Sequence, residues 1–319
     1  MKKLAPATIG VLLFLLVFVA PKPAGIKTVN ADAATLIWGS TWNQQEPAVS
    51  YAEDTCLEIM DLFASVNAYT VKRCSWAEWC TKSDILYYAE VYDEAMDYVT
   101  LFHYGDWWAT NETADYYWTP DGYNWQHWTE QVEHYNYYDN YGELVGDIEI
   151  YPQTDQEHHY FVFLWTCVNG EICGYYDSDW SGYYMGGYLI KYGTGPVGMP
   201  FSWMHQTGLS SNGYASPDSS DYCFIGFENV SRWLNDTTGY GSYTYANFTK
   251  KFYEEALQDD HTIKQALDHA AEYTFGQGKT FADTELYTGY NVYLPDKPPY
   301  NFWSKMRVWG NGNNVLPQD

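Results

Sequence analysis

Uninterrupted apolar runs mark two neighbouring strands in the middle of the chain. The longest run covers residues 160–165 and leads through Thr166 to Cys167 and a turn at Gly170. A second run, residues 98–102, leads to His103. Apolar runs of this length that end at turns are typical of strands buried on both faces of a parallel sheet. Functional residues in open α/β sheets follow the carboxyl ends of strands, so we expect Cys167 and His103 at one sheet edge.

Helical spacing separates the predicted strands of the first hundred residues. Residues 35–39 and 68–71 read as strands, and between them Ser50 begins a capping-box pattern whose helix buries Cys56. Asp84 is the predicted cap of a second helix, which leads into the strand that ends at His103. The order strand, helix, strand, helix, strand predicts right-handed crossovers and a mostly parallel sheet.

The pattern changes to mixed aromatic and polar residues over 106–156. We predict an aromatic-rich insertion there, with a hairpin around 144–151, lying over the carboxyl edge of the sheet. Such a surface suits a ligand, and a self-packed loop that only covers the sheet edge is the equal alternative. The later predicted elements are a strand over 222–227, a helix that contains Phe248, a second helix that starts at Thr262 and stops before Gly276, and a strand over 305–310.

The chain opens with the features of a secretory signal peptide. Lys2 and Lys3 precede an apolar segment, residues 9–20, and an Ala-Asp-Ala cleavage site ends at Ala33. A membrane anchor is the alternative, but the apolar segment is shorter than the roughly 18 to 20 residues that a span needs. We therefore predict a signal at 1–33, a single secreted, extracellular domain at 34–319, and no stable membrane insertion.

The net charge of −25 narrows the choice of partners. Removing the four lysines and the aspartate of the predicted signal would take it to −28. Such a surface repels nucleic acid and anionic lipid, whereas cationic peptides or Ca²⁺ fit it better. A solvated acidic surface without a specific site is the plainer interpretation.

Six cysteines in a secreted chain predict disulfides. Cys74 and Cys80 are close enough in sequence to close a small loop, and Cys173 could pair with Cys223. If Cys167 is a thiol nucleophile, one other cysteine also stays unpaired, and Cys56 is our choice.

The two strand ends resemble those of a known enzyme family. Phe102-His103-Tyr104-Gly105 and Thr166-Cys167-Val168-Asn169-Gly170 are similar to the segments that carry the catalytic His and Cys of the caspase-like (clan CD) cysteine peptidases, closest to gingipain and clostripain. Residues 224–227 and 308–312 resemble later segments of the same domains. In that family Gly follows the His directly, whereas here Tyr104 intervenes.

The resemblance implies a caspase-like three-layer α-β-α sandwich with a mostly parallel central sheet and long loop insertions. It also implies a Cys-His dyad in which Cys167 attacks a peptide carbonyl and His103 protonates the leaving amine. The backbone N–H groups of Gly105 and Cys167 would form the oxyanion hole. Among the other histidines, His205 is the spare candidate base.

Carboxylates near the nucleophile turn are candidates for substrate binding. Glu171, Asp179 and Glu228 could select Arg or Lys in a peptide or protein substrate through charge-assisted contacts. Asp177 and Asp179 supply two oxygens of a weak Ca²⁺ candidate. No Cys/His cluster has zinc spacing, so we predict no resident metal or cofactor, and the oligomeric state is left open.

Two other classes of function compete with the secreted cysteine endopeptidase. The first is a non-catalytic caspase-like extracellular module, whose aromatic-rich loops would bind glycans or envelope proteins. The chain has 15 Trp and 33 Tyr, many of them in the long loops. A glycosidase is the second, since carboxylates abound, but no spacing in the sequence pairs two of them at the required separation.

Overall fold

The computed structural model describes residues 32–42, 44, 46–119, 126–170, 188–192, 198–205, 210–258, 260–293 and 301–318. Its centre is a seven-stranded sheet in the order β10-β11-β9-β7-β3-β1-β2. The five strands from β2 to β9 are parallel, and β11 and β10 add antiparallel strands at one edge. Helices cover both faces, so the predicted α/β sandwich with a mostly parallel central sheet is confirmed.

The order of the elements begins with the strand, helix, strand, helix, strand pattern that is predicted for the first hundred residues. The strands are β1 (Ala33–Gly39), β2 (Tyr69–Trp76), β3 (Tyr98–Tyr104), β4 (Trp107–Thr119), β5 (Gln126–Tyr138), β6 (Leu144–Val145), β7 (His159–Trp165), β8 (Tyr188–Tyr192), β9 (Cys223–Glu228), β10 (Tyr290–Tyr293) and β11 (Asn301–Gly310). The helices are α1 (Ala48–Ala64), α2 (Lys82–Ala95), α3 (Asp147–Ile150), α4 (Met199–Met204), α5 (Tyr245–Ala256), α6 (Ile263–Phe275) and α7 (Glu285–Thr288).

The core lies in two layers, one on each face of the central sheet. The first face, here called the α5 face, packs against α1, α5 and α6 and includes Phe163 and Trp165 of β7. The opposite face, the α2 face, packs against α2, α3 and α4 and includes Val162 and Leu164. All seven residues of β7 are buried, because both of its faces are covered.

Helix boundaries test the predicted caps. At α6 the prediction is confirmed, since the Thr262 side chain accepts the N–H of Gln265 and the helix ends before Gly276. The other two predicted caps are wrong. α1 begins at Ala48, so Ser50 lies inside the helix, and the cap of α2 is Thr81, whose hydroxyl accepts the N–H of Asp84.

The aromatic-rich insertion supplies three of the four strands of a second sheet, whose order is β6-β5-β4-β8 and whose fourth strand, β8, comes from the chain after Cys167. Its main component is a long antiparallel pair in which Trp107 of β4 lies opposite Tyr137 of β5. The hairpin expected around 144–151 is therefore misplaced. Residues 144–145 form a two-residue strand, and a short helix, α3, follows at 147–150.

The predicted signal peptide lies outside the described residues except for its last two positions. β1 begins at Ala33, whose N–H donates to the carbonyl oxygen of Ala68 over 3.0 Å. Among the described residues, no helix is long and apolar enough to span a bilayer.

Candidate functional site at the carboxyl edge of the sheet

The carboxyl ends of β3, β7 and β9 lie side by side and bring the predicted site segments together. Tyr104 of β3 pairs with Trp165 of β7, and β7 pairs with β9 on its other side. Gly105 and Cys167 therefore follow neighbouring strand ends. This edge of the sheet is the candidate site that the sequence predicts.

The turn that carries Cys167 is fixed to β9 by backbone contacts. Val168, in the left-handed region with φ of 63°, donates its N–H to the carbonyl oxygen of Asn229 over 2.6 Å. Gly170 donates to the carbonyl of Phe227 over 2.9 Å. A Cβ on Gly170 would lie 2.3 Å from the carbonyl carbon of Gly226, so only glycine allows the turn to approach β9 this closely. The turn is thus held rigidly.

The thiol of Cys167 is half-buried and lies against the segment that follows β9. Its Sγ accepts the backbone N–H of Ser231 over 3.2 Å and lies 3.4 Å from the Ser231 hydroxyl. A backbone N–H directed at sulfur stabilises negative charge there, as a nucleophilic thiolate requires. This contact is the feature of the site that most favours thiol chemistry.

His103 is fully buried on the α2 face. Its ring lies 4.3 Å from the ring of Tyr137, and neither of its nitrogens has a hydrogen-bond partner among the described residues. Burial lowers the pKa of His103 to about 3, because nothing there compensates the charged ring. The imidazole is therefore neutral at physiological pH.

The structure does not bring His103 and Cys167 together as a dyad. Side chains alternate between the faces of a strand, and Phe102 and Tyr104, the neighbours of His103, lie in the α5-face core. Cys167 lies beyond the end of β7, and its sulfur contacts Ser231. The two side chains form no hydrogen-bonded dyad among the described residues, because the His103 ring is buried against Tyr137 and neither of its nitrogens has a partner.

Tyr104, and not His103, is the strand-end residue of β3 whose side chain lies near Cys167. It directly precedes Gly105, faces the α5 side like Cys167, and donates its hydroxyl to Oε1 of Gln44 over 3.1 Å. Burial raises its pKa well above the ordinary value, and a negative charge on the nearby Cys167 would raise it further. A phenol of this kind stays protonated at neutral pH and cannot take a proton from the thiol.

A second phenol, Tyr290 of β10, lies near enough to Cys167 for a charge on the sulfur to affect its pKa. Its hydroxyl donates to the carbonyl oxygen of Val230 over 2.8 Å. Burial raises its pKa, and the charge on Cys167 acts in the same direction. The Arg232 guanidinium lies 4.3 Å from the Tyr290 ring centre and pairs with Glu285 over 3.0 Å. The cation nearest this phenol is therefore already neutralised.

Of the three carboxylates predicted to bind substrate, only Glu228 lies within the described residues. Glu228 is paired with Arg307 and lies 3.6 Å from the ammonium nitrogen of Lys305, so its charge is compensated within the protein. Glu171 and Asp179 lie outside the described residues, as does the Asp177 of the Ca²⁺ candidate. The spare base, His205, stacks on Tyr151 at 3.9 Å.

Disulfides do not link any of the five cysteines within the described residues. Cys74 packs against the α5-face core, whereas Cys80 belongs to the α2-face core, so the predicted pair is separated by the sheet. Cys173, the predicted partner of Cys223, lies outside the described residues. Burial raises the pKa of the Cys74 thiol to about 11, consistent with an inert core residue.

Sequence reasoning missed the residues that surround Cys167. Ser231 and Tyr290 come from segments far along the chain, and no local pattern signals their approach. Tyr104 had a usable signal, because it precedes Gly105 and is separated from the buried Phe102 by one residue. Side chains two residues apart on a strand lie on the same face, so Tyr104 shares a face with Phe102. The sequence alone therefore allows this tyrosine to be assigned to the site.

No family model and no curated protein matches this chain. Solved structures do match, and one of them is the crystal structure of protein GSU0716 from Geobacter sulfurreducens. That alignment covers 90% of this chain and 100% of the other, with 12% sequence identity and a TM-score of 0.40. The proposals below are therefore argued from the geometry of the described residues.

Proposed function

We propose that this chain is a non-catalytic, extracellular module of caspase-like type that binds glycans through the sheet formed by its aromatic-rich insertion. The observation that carries the non-catalytic part is the pair of phenols beside Cys167. Tyr104 and Tyr290 both keep their protons at neutral pH, and His103 faces the other side of the sheet. Thiol catalysis needs a base beside the sulfur, and neither phenol can take a proton from the thiol at neutral pH.

The insertion sheet supports the choice of glycan as ligand. Its register places Tyr116 opposite Trp128, and Trp118 opposite Leu189. Aromatic rings bind the apolar faces of sugars, and this sheet interleaves them with amide, carboxylate and hydroxyl residues that can bond sugar hydroxyls. The net charge of −25 opposes sulfated and uronic-acid polymers, so the ligand class is neutral or amino sugars.

The test is binding of the full chain to immobilised neutral and amino-sugar polysaccharides, with a sulfated polymer as the charge control. Replacing Tyr116 and Trp128 together by Ala should weaken binding at least about fivefold, from roughly 1 kcal/mol of lost stacking. Trp79→Ala is the matched control, because Trp79 is 68% exposed and lies outside the insertion. Equal binding by the double variant and the wild type would contradict the proposal.

A cysteine peptidase is the second candidate, and the Ser231 N–H that donates to Cys167 is the observation that favours it. The test is cleavage of a mixed peptide library by the wild type and by Cys167→Ala. Cleavage that disappears in Cys167→Ala would establish the peptidase and exclude the non-catalytic module. Absence of cleavage together with glycan binding would support the module.

A further inference from the structure

A group of metal-ligating side chains lies at the end of the sheet opposite Cys167. α5 runs antiparallel to β7, since the ring of Tyr245 lies near Trp165 at 6.2 Å and that of Phe252 near Phe161 at 5.8 Å. Glu255, in the last turn of α5, therefore lies towards the amino ends of the strands. The site is separate from the carboxyl edge discussed above.

Glu255 meets two histidines from the segment that follows it. Its Oε2 lies 2.7 Å from Nδ1 of His269, on α6, and 3.3 Å from Nδ1 of His261, in the loop between α5 and α6. The candidate ligand atoms of all three side chains lie within 4.8 Å of one another. The rings of the histidines are 5.0 Å apart and nearly perpendicular at 75°.

Hydrogen bonding satisfies only part of this group. His269 forms a bond with Oε2, but Nδ1 of His261 is buried and has no hydrogen-bond partner among the described residues. One carboxylate oxygen thus faces two imidazole nitrogens and is well bonded to one of them. A cation placed between the three ligand atoms would satisfy both rings.

Lys251 orients the carboxylate from the far side. Its ammonium lies 2.6 Å from Oε1 of Glu255 and 3.1 Å from Glu254, which leaves Oε2 directed at the histidines. Carboxylates that bind metals commonly have such an outer hydrogen-bond partner. The lysine charge opposes a cation, but it lies against the other oxygen and is shared with a second carboxylate.

We propose that Glu255, His261 and His269 form a binding site for a divalent transition metal ion, for which Zn²⁺ is the natural probe. Two imidazole nitrogens favour Zn²⁺ and its neighbours over Ca²⁺ and Mg²⁺, which take oxygen ligands. The side chains of His261 and His269 are 26% and 44% exposed, so water can reach the ion and complete a tetrahedral shell. Bound metal would tie the end of α5 to the loop after it and to α6.

The test uses the full chain stripped of metal with a chelator and titrated with Zn²⁺ alone by isothermal calorimetry. The wild type should bind one ion at this site, and the protein should unfold at a higher temperature with Zn²⁺ than without it. His261→Asn and His269→Asn should each weaken binding at least about tenfold. His205→Asn, a histidine outside the group, should bind like the wild type.

Cobalt absorption identifies the ligands, since Co²⁺ bound by nitrogen and oxygen has a different spectrum from Co²⁺ bound by thiolate. Both histidines are partly exposed, so their variants should fold, and circular dichroism checks this. Unchanged Zn²⁺ affinity in the two histidine variants, or a thiolate spectrum that persists in them, would overturn the proposal. Failure here would leave the glycan proposal untouched, because the two sites share no residue.

Discussion

The buried imidazole of His103 makes the protein sensitive to acid in a way that one substitution can isolate. In the folded state burial holds its pKa at about 3, whereas in the unfolded chain the pKa is near 6.5. Below pH 6.5 the unfolded state therefore binds a proton that the folded state does not. Stability from this group is complete above pH 6.5 and is lost as the pH falls towards 3.

The magnitude follows from the difference between the two pKa values. Each pH unit in this window costs about 1.4 kcal/mol, so acidification from pH 6.5 to 4.5 costs about 3 kcal/mol and the full window about 5 kcal/mol. The full figure is an upper limit, since water entering the core would reduce it. Other titrating groups, including the buried His159, add to the total loss of stability in acid. They are present in the wild type and in a variant that lacks only His103, so their effect cancels when the two are compared.

The perturbation is His103→Leu, which removes the titrating group and keeps an apolar side chain against Tyr137. Free energies of unfolding from guanidinium titration, read by tryptophan fluorescence, are compared at pH 7 and pH 4.5. The wild type should lose about 3 kcal/mol more than His103→Leu over this interval. The variant can differ from the wild type in stability at pH 7 without affecting the result, because the comparison is between the changes in free energy of unfolding from pH 7 to pH 4.5.

The control is His205→Asn, whose ring is stacked on Tyr151 at the surface of the α3–α4 region. It should lose stability with acid as the wild type does. Equal acid losses in the wild type and His103→Leu would refute the reasoning. An NMR titration that places the pKa of His103 in the folded protein near 6.5 would do the same.

Three other outcomes test the geometry of the fold and the site. Gly170→Ala should destabilise the protein by about 2 kcal/mol in chemical denaturation, since the new methyl would overlap the backbone at Gly226; an unchanged midpoint would contradict the close approach. Tyr104→His should place an imidazole beside Cys167 and speed its alkylation by iodoacetamide at pH 7 at least about fivefold, read by peptide mass, whereas His103→Leu should leave the rate unchanged. Asp93→Asn should cost about 3 kcal/mol by thermal unfolding, because the carboxylate accepts backbone N–H groups of Gln156 and His158 and contacts the buried His159 ring at 3.0 Å; a loss below 1 kcal/mol would count against it.

Much of the central sheet could be predicted from the sequence because its strands are apolar throughout. The run at 160–165 and the strand at 222–227 appear in the structure as β7 and β9, nearly as predicted. The capping box at Thr262 likewise fixes the start of α6 through a local hydrogen bond. Signals of this kind lie within a few residues of the element that they define.

The same apolar runs hide which face each residue occupies. An alternating strand with one wet face reveals its phase, but a strand buried on both faces does not. The apolar run therefore predicts the strand and the sheet edge of His103, but not the face on which its ring lies. The hairpin of the insertion is predicted at the wrong place, because the mixed aromatic and polar residues of β4 and β5 obscure the period-two pattern of these strands.

The contact between Gly170 and Gly226 limits how this protein can vary in sequence. A Cβ on Gly170 would lie 2.3 Å from the carbonyl carbon of Gly226, and a Cβ on Gly226 would lie 2.8 Å from the Cα of Gly170. Changing both residues therefore relieves neither clash. No pairwise compensation is available, and selection for this turn acts on the two positions as one. Glycine at both positions, 56 residues apart in this chain, is therefore a sequence marker for a turn that holds a cysteine against the neighbouring strand in this way.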